Sequence, residues 1–298
     1  MITIKSASLR VEIAEPGEHP NDTFRFARAG FITDVVMNNE IHFLANEPKN
    51  LVHPSSGGRG LCCEYNEDFS GEASVGEYFP KFGIGLIRKE DEGKYIFHKK
   101  YKDLQPYPVS FTADETRAEF LTEAVPCLGY AVKEQRKISV SGNTLTVEVR
   151  LQNVGEKAFS TREYCHNFFS IDGMAVSADY YLELPNLKEL GVRDIPNLYP
   201  NPCNFHADGS GIELLRDERA TSLAKLPIDG MDERLPFCWK LSHKGAKAFV
   251  EGEDHIRVSG VTLWEVDHIF SPEIFQTLTL KPGETAEWKR VLRFVSEA

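Results

Sequence analysis

The segment KISVSGNTLTVEVRLQNVGEKAFSTREY, beginning at Lys137, constrains the fold more than any other. Leu145, Val147, Val149 and Leu151 recur at every second position, with Thr146, Glu148 and Arg150 between them. That is the spacing of a strand with one face buried and the other wet. Ile138 to Val140 precede it, and Gly142 and Asn143 in "SGN" tolerate the positive φ of a hairpin turn. A further turn at Gly155 to Lys157 leads into a strand from Phe159. The pattern returns in TFRFARAGFITDVVMNNEIHFLA, where Asn38 and Asn39 divide two apolar runs, and in YPVSFTADETRAEFLTEA, where "DET" does so. It returns again in AKAFVEGEDHIRVSGVTLWEV and in FQTLTLKPGETAEWKRVLRF, with Pro282 and Gly283 in the turn. All of these are expected to be antiparallel hairpins. The nearest thing to a helix is NLKELGV, a short turn around Leu187 that Gly191 would end.

Turn signals every ten or so residues, without strand and helix in alternation, predict an all-β chain built as a large antiparallel sandwich. No linker or internal repeat divides the 298 residues, and "SSGGRG" at Ser55 is too short for a tether, so residues 1–298 are expected to form one domain.

Acidic residues exceed basic ones, 45 against 34, giving a formal charge of −11 that opposes binding to nucleic acid or to an anionic membrane. The basic run HKKYK at His98 to Lys102 reads as a solvated face. MITIKSASLRVEI alternates like a strand from its start and carries no apolar stretch with a cleavage site, and no window is long and apolar enough for a membrane-spanning helix. The six cysteines (Cys62, Cys63, Cys127, Cys165, Cys203 and Cys238) are scattered through this long chain, which suits reduced thiols in the cytoplasm better than a disulfide framework. The sequon at Asn21 then has no meaning as a glycan site.

Nucleotide and hydrolase signatures are missing. GIGLIR at Gly83 lacks a third glycine and a βαβ setting, and there is no G-x-x-x-x-G-K-[ST] or G-x-S-x-G. Cys203 and His206 in "CNFH" supply half of a zinc pattern whose other half is absent. No metal and no cofactor are expected. Attention falls on EYCHNFFSIDG at Glu163. In an extended strand Tyr164 and His166 share one face, while Glu163, Cys165 and Asn167 share the other. His166 is the residue here best suited to chemistry, although a lone histidine is more commonly a satisfied core residue. Glu273, between Ser271, Pro272 and the apolar Ile274 and Phe275, is either a loop-rim carboxylate or a partly desolvated one suited to act as a base near neutrality.

HNFFSIDG, the late glutamate of FSPEIF and the closing LKPGETAEWKRVLRF together resemble the aldose 1-epimerase (galactose mutarotase) superfamily, and "GGRG" is a weaker match. The resemblance in strand layout covers almost the whole chain. It implies a galactose mutarotase-like β-supersandwich with a sugar cleft on the concave face of a long sheet. It also implies an acid/base pair that opens and recloses a pyranose ring, Glu273 as base and His166 as acid, with Arg59 binding sugar hydroxyls. The second histidine of that family should fall near PKFGIG, where Phe82 stands before Gly83. Lys81 or His98 is left to substitute for it in the site; the plainer reading makes them a surface lysine and an exposed strand histidine. The family's sugar-binding aspartate has no clear match, since Asp229 and Asp232 read as turn residues. Trp239, Trp264, Tyr180 and Tyr181 are aromatic candidates for a sugar cleft and are left unassigned.

The expectation is therefore a cytoplasmic, cofactor-independent carbohydrate isomerase acting on the anomeric carbon of a sugar or sugar phosphate, the latter in view of Arg59, Lys81 and Arg88. The competing reading is a non-catalytic carbohydrate-binding protein on the same fold. A lyase or hydrolase fragment is a third, disfavoured by the lack of any helical domain.

Overall fold

The structure, a computed structural model, describes residues 1–18, 24–48, 56–187, 190–194, 204–215, 222–228 and 231–296. Among them the chain is all β apart from two single 3₁₀ turns, Ser70–Glu72 and Ile171–Gly173. It forms two ten-stranded antiparallel sheets and a small three-stranded one. The first large sheet runs, in spatial order, Ile2–Lys5, Leu9–Ala14, Phe31–Met37, Leu61–Tyr65, Phe159–Asn167, Ile269–Leu280, Val258–Val266, Ser222–Leu226 and Arg193–Asp194, with Ile41–His42 off the side. At the centre of the second lie Ala248–His255, Thr285–Ser296, Thr144–Asn153 and Val132–Ser141.

The short-range turns form as their chemistry dictates. Val132–Ser141 pairs with Thr144–Asn153 around Gly142 at φ +57°, and Asn38 and Asn39 both adopt positive φ before Ile41–His42. Val109–Ala113 pairs with Arg117–Thr122 across "DET".

Two expected hairpins are corrected. Ala248–His255 belongs to the second sheet and Val258–Val266 to the first, so Ile256 and Arg257 carry the chain from one sheet to the other. Likewise Ile269–Leu280 and Thr285–Ser296 lie in different sheets, and the Pro282-Gly283 turn is a corner. Each of these four strands has other neighbours on both edges, which leaves neither expected pair an edge to meet on. The helical turn expected near Leu187 falls in part on Lys188 and Glu189, which lie outside the described residues. Asn186 is in a turn, and Leu187 and Leu190 to Val192 are irregular.

The two large sheets face each other across the main core. Leu61, Cys63, Cys165 and Ile274 of the first meet Leu145, Trp239, Leu241, Val250, Leu292 and Phe294 of the second. A second, aromatic cluster of Phe69, Phe79, Phe82, Tyr130, Phe159 and Trp288 fills the end near the small sheet. A third, including Phe26, Phe31, Phe168 and Trp264, covers part of the other face of the first sheet. No helix among the described residues is long and apolar enough to cross a membrane.

Candidate functional site

The Phe159–Asn167 strand lies between Leu61–Tyr65 and Ile269–Leu280, so residues from three distant parts of the sequence become neighbours. Its ladder with Ile269–Leu280 runs from Phe159↔Leu280 to Glu163↔Gln276 and then stops. A single bridge at Phe169↔Phe270 resumes it in the same register. In the gap sits Pro272, which has no N–H to donate, and the Asn167 side-chain amide donates to the Pro272 carbonyl at 2.7 Å. Carrying the register three residues beyond Glu163↔Gln276 puts His166 opposite Glu273.

The side chains meet there. His166 Nε2 is 3.0 Å from Glu273 Oε1, and its Nδ1 is 2.9 Å from Ser271 Oγ. When Glu273 accepts from Nε2–H, the Ser271 hydroxyl donates to Nδ1, which selects one neutral tautomer. The imidazole stacks on Phe168 with centroids 4.3 Å apart, and the edges of Trp264 and Phe26 close two more sides. His166 and Glu273 are each 5% exposed. The carboxylate is therefore desolvated rather than at a loop rim.

The division of EYCHNFF between two faces is as the alternation requires. Tyr164 and His166 lie on the site side, with Tyr164 stacked on Phe275 at 4.2 Å. On the opposite side Glu163 receives both terminal nitrogens of Arg290 at 2.8 Å and the amide of Gln276 at 2.8 Å. Arg290 also holds Asp254 at 3.0 Å, and Asp254 accepts from the Trp239 indole. Trp239 is thus committed to the inter-sheet core, and Trp264 is the aromatic at the site.

Sequence reasoning missed the groups flanking the pair. Arg25 Nε donates to Glu64 Oε2 at 2.7 Å and its Nη2 to the Tyr164 hydroxyl at 2.7 Å; that hydroxyl in turn donates to Glu64. The guanidinium lies over the rings of Phe26 and Phe97, at 4.7 and 4.4 Å. Burial pushes the Glu64 carboxyl up, but Arg25, Lys81 and the Tyr164 hydroxyl outweigh it and hold it below the usual carboxylate range. Burial together with the carboxylates of Glu64 and Glu273 keeps the Tyr164 phenol far above its ordinary range, against the pull of Arg25. The available signal was an arginine set between Phe24 and Phe26, both buried.

The expected binding residues fall at different distances from the pair. Arg59 lies over Phe31 at 5.7 Å, and Phe31 meets Phe26, which touches His166, so it stands at the margin of this aromatic patch. Lys81 is no surface lysine. It is 1% exposed, donates to the Tyr65 carbonyl, lies 3.7 Å from Glu67 and faces the Tyr95 ring. It joins the charged cluster behind Glu64 and not the His166–Glu273 pair. His98 is half-buried in a turn rather than on a strand, next to the Phe97 that covers Arg25. Phe82 is a packing residue, edge-on to Phe159 and Tyr65. Of the metal candidates, Cys203 lies outside the described residues and His206 is exposed. Among the described residues no cluster of three or more His, Cys, Asp or Glu is arranged to hold a metal.

No protein-family model matches the sequence, and no curated protein matches it. Solved structures do match, over nearly its whole length. A galactose mutarotase-like protein from Lactobacillus casei superposes with a TM-score of 0.63 at 14% identity, covering 99% of this chain and 100% of that one. A provisional aldose 1-epimerase from Escherichia coli K12 gives 0.63 at 12% identity, covering 99% and 98%. A galactose mutarotase-related enzyme from Lactobacillus acidophilus gives 0.57 at 13%, covering 100% and 98%. The fold is galactose mutarotase-like: all-β, antiparallel and multi-sheeted.

Proposed function

We propose that this chain is a cofactor-independent carbohydrate isomerase of the aldose 1-epimerase type, acting in the cytoplasm. The observation that carries the reading is the contact of His166 Nε2 with Glu273 Oε1 at 3.0 Å in an aromatic setting, on a mutarotase-like sheet. A sugar ring entering there takes the place of that contact, with its anomeric hydroxyl toward Glu273 and its ring oxygen toward His166. Glu273 removes the hydroxyl proton while His166, as the imidazolium with its Nδ1–H donating to Ser271 Oγ, protonates the ring oxygen and becomes neutral; the C1–O5 bond breaks and the open aldehyde forms. Rotation about C1–C2 and the reverse transfers give the other anomer. Each positioned transfer contributes roughly 10² to 10⁴ in rate. Ser271 and the stacked Phe168 fix the imidazole, and Trp264 beside it is the apolar group nearest an entering pyranose ring. Lys81 is held by Glu67 and the Tyr65 carbonyl, and Arg88 by the Gly76 carbonyl and Asp103. This supports a neutral sugar over a phosphorylated one, with Arg59, at the margin of the aromatic patch, as a binding residue.

The second reading is a carbohydrate-binding protein without turnover. It is favoured by Phe82, packed into the aromatic cluster where the family's second histidine is expected. NMR line shapes on a panel of free and phosphorylated aldoses distinguish the two. The isomerase accelerates α/β exchange of at least one sugar, and Glu273→Gln and His166→Asn abolish the acceleration. A binder broadens or saturates sugar signals while exchange stays at the buffer rate.

A further inference from the structure

On the face of the central strand turned away from His166, Cys165 lies directly opposite Cys63. The flanking hydrogen bonds Asn66 N–H to Arg162 O and Phe168 N–H to Gly60 O fix the bonded pairs of this ladder at alternate positions. Cys63 and Cys165 therefore form a non-bonded pair, and the Cys63 carbonyl is free to accept from Ala27 N–H at 2.8 Å. In such pairs the Cα atoms approach to about 4.5 Å and the side chains are at their closest, within the separation a disulfide spans. The two side chains lie on the same face of the sheet, across this close pair. A void of about 20 Å³ is lined by both cysteines, with Arg136, Asp254 and Arg290, and is large enough for about one water-sized molecule. The neighbouring Cys165 thiol, with help from Arg136 and Arg290, holds the Cys63 thiol below its ordinary value despite its burial. Its neighbour Cys62 points the other way, its thiol donating to the His166 carbonyl.

We propose that Cys63 and Cys165 form a redox modification site, a cross-strand dithiol that a small hydroperoxide closes to a disulfide beneath the His166 strand. The Cys63 thiolate attacks one peroxide oxygen, the O–O bond breaks, and hydroxide (or alcohol) leaves with the electron pair, giving a sulfenic acid. The Cys165 thiol then displaces its hydroxyl as water, forming the S–S bond. Two thiols lose two protons and two electrons, and the peroxide is reduced by those two electrons. Cys165 is bonded to His166, so drawing the two strands together moves the backbone that carries the imidazole. The proposal concerns a chemical mark and stands or falls independently of any sugar activity.

The test treats the reduced, folded protein with hydrogen peroxide, blocks remaining thiols with iodoacetamide and maps the peptides by mass spectrometry without reduction. The expected result is a linked pair of peptides containing Cys63 and Cys165, a loss of two alkylated thiols and of the mass of two hydrogens, and reversal by dithiothreitol. Cys165→Ser removes the link, whereas Cys238→Ser, at a half-buried position elsewhere, leaves it intact. Because the wild-type map decides the matter, a variant that fails to fold does not. Folded wild-type protein that keeps both thiols alkylatable, or is oxidised only at Cys127 or Cys238, overturns the proposal.

Discussion

One strand, Phe159–Asn167, carries polar groups on both faces, and they are organised in opposite ways. Between the sheets, Glu163 is tied to Arg290 and Gln276, and Arg290 to Asp254 and then Trp239, with the donors and acceptors of that chain paired within the protein. On the other face His166 meets Glu273 in a gap of the ladder, among rings that offer it no further hydrogen bonds. The inner face is an ion network closed on itself; the outer face sets a smaller network, Arg25, Glu64 and Tyr164, beside a buried His166–Glu273 contact. Burial is similar on both sides, so burial alone does not mark a functional residue.

The comparison breaks most readily at Glu273. Glu273→Gln is expected to cost about 10² to 10⁴ in anomer exchange while the protein still unfolds cooperatively; an unchanged exchange rate removes the outer face from catalysis. Next comes Arg290→Leu, which leaves Glu163 and Asp254 buried without their cation. A loss of about 3–5 kcal/mol in urea unfolding is expected, with exchange per folded molecule unchanged. Tyr164→Phe removes the hydroxyl between Arg25 and Glu64 and is expected to cost about 1–3 kcal/mol.

The smallest effect is the most diagnostic of sign. Glu64 has a depressed folded pKa, so its contribution to stability is present above its unfolded pKa and is lost as pH falls through the folded value. Asp254 is shifted the other way, because burial outweighs Arg290; its contribution is present below its unfolded pKa and is lost as pH rises through the folded value. In melting temperatures followed from neutrality into acid, Glu64→Gln should flatten the decline and Asp254→Asn should steepen it. Shifts in the same direction would erase the distinction between the two faces.

Most of what local chemistry decides was legible. The alternation around Leu145 placed a strand, the Asn38-Asn39 and Gly142-Asn143 turns placed hairpins, and period two separated Tyr164 and His166 from Glu163, Cys165 and Asn167. What failed depends on pairing between distant segments. Nothing near Pro282 and Gly283 states that the strands on either side join different sheets, because that is settled by which edges are already taken. The same non-locality hid Arg25 and Glu64, which become partners only when the segment after Phe24 folds over the Leu61–Tyr65 strand. Lys81 was misjudged because a lysine is ordinarily exposed, and only the fold supplies Glu67 and the Tyr65 carbonyl to receive it.

The strands that build the site come from near residues 61, 159 and 269, with the middle one seated between the other two. A ribosome making this chain will have extruded the imidazole long before its carboxylate partner exists. Until the strand bearing Glu273 emerges, the edge of Phe159–Asn167 that awaits it is an open template for mispairing with another nascent chain. The His166–Glu273 contact thus cannot form before the later strand emerges, and a helper that shields this edge during translation would raise the yield of folded molecules without touching the finished protein.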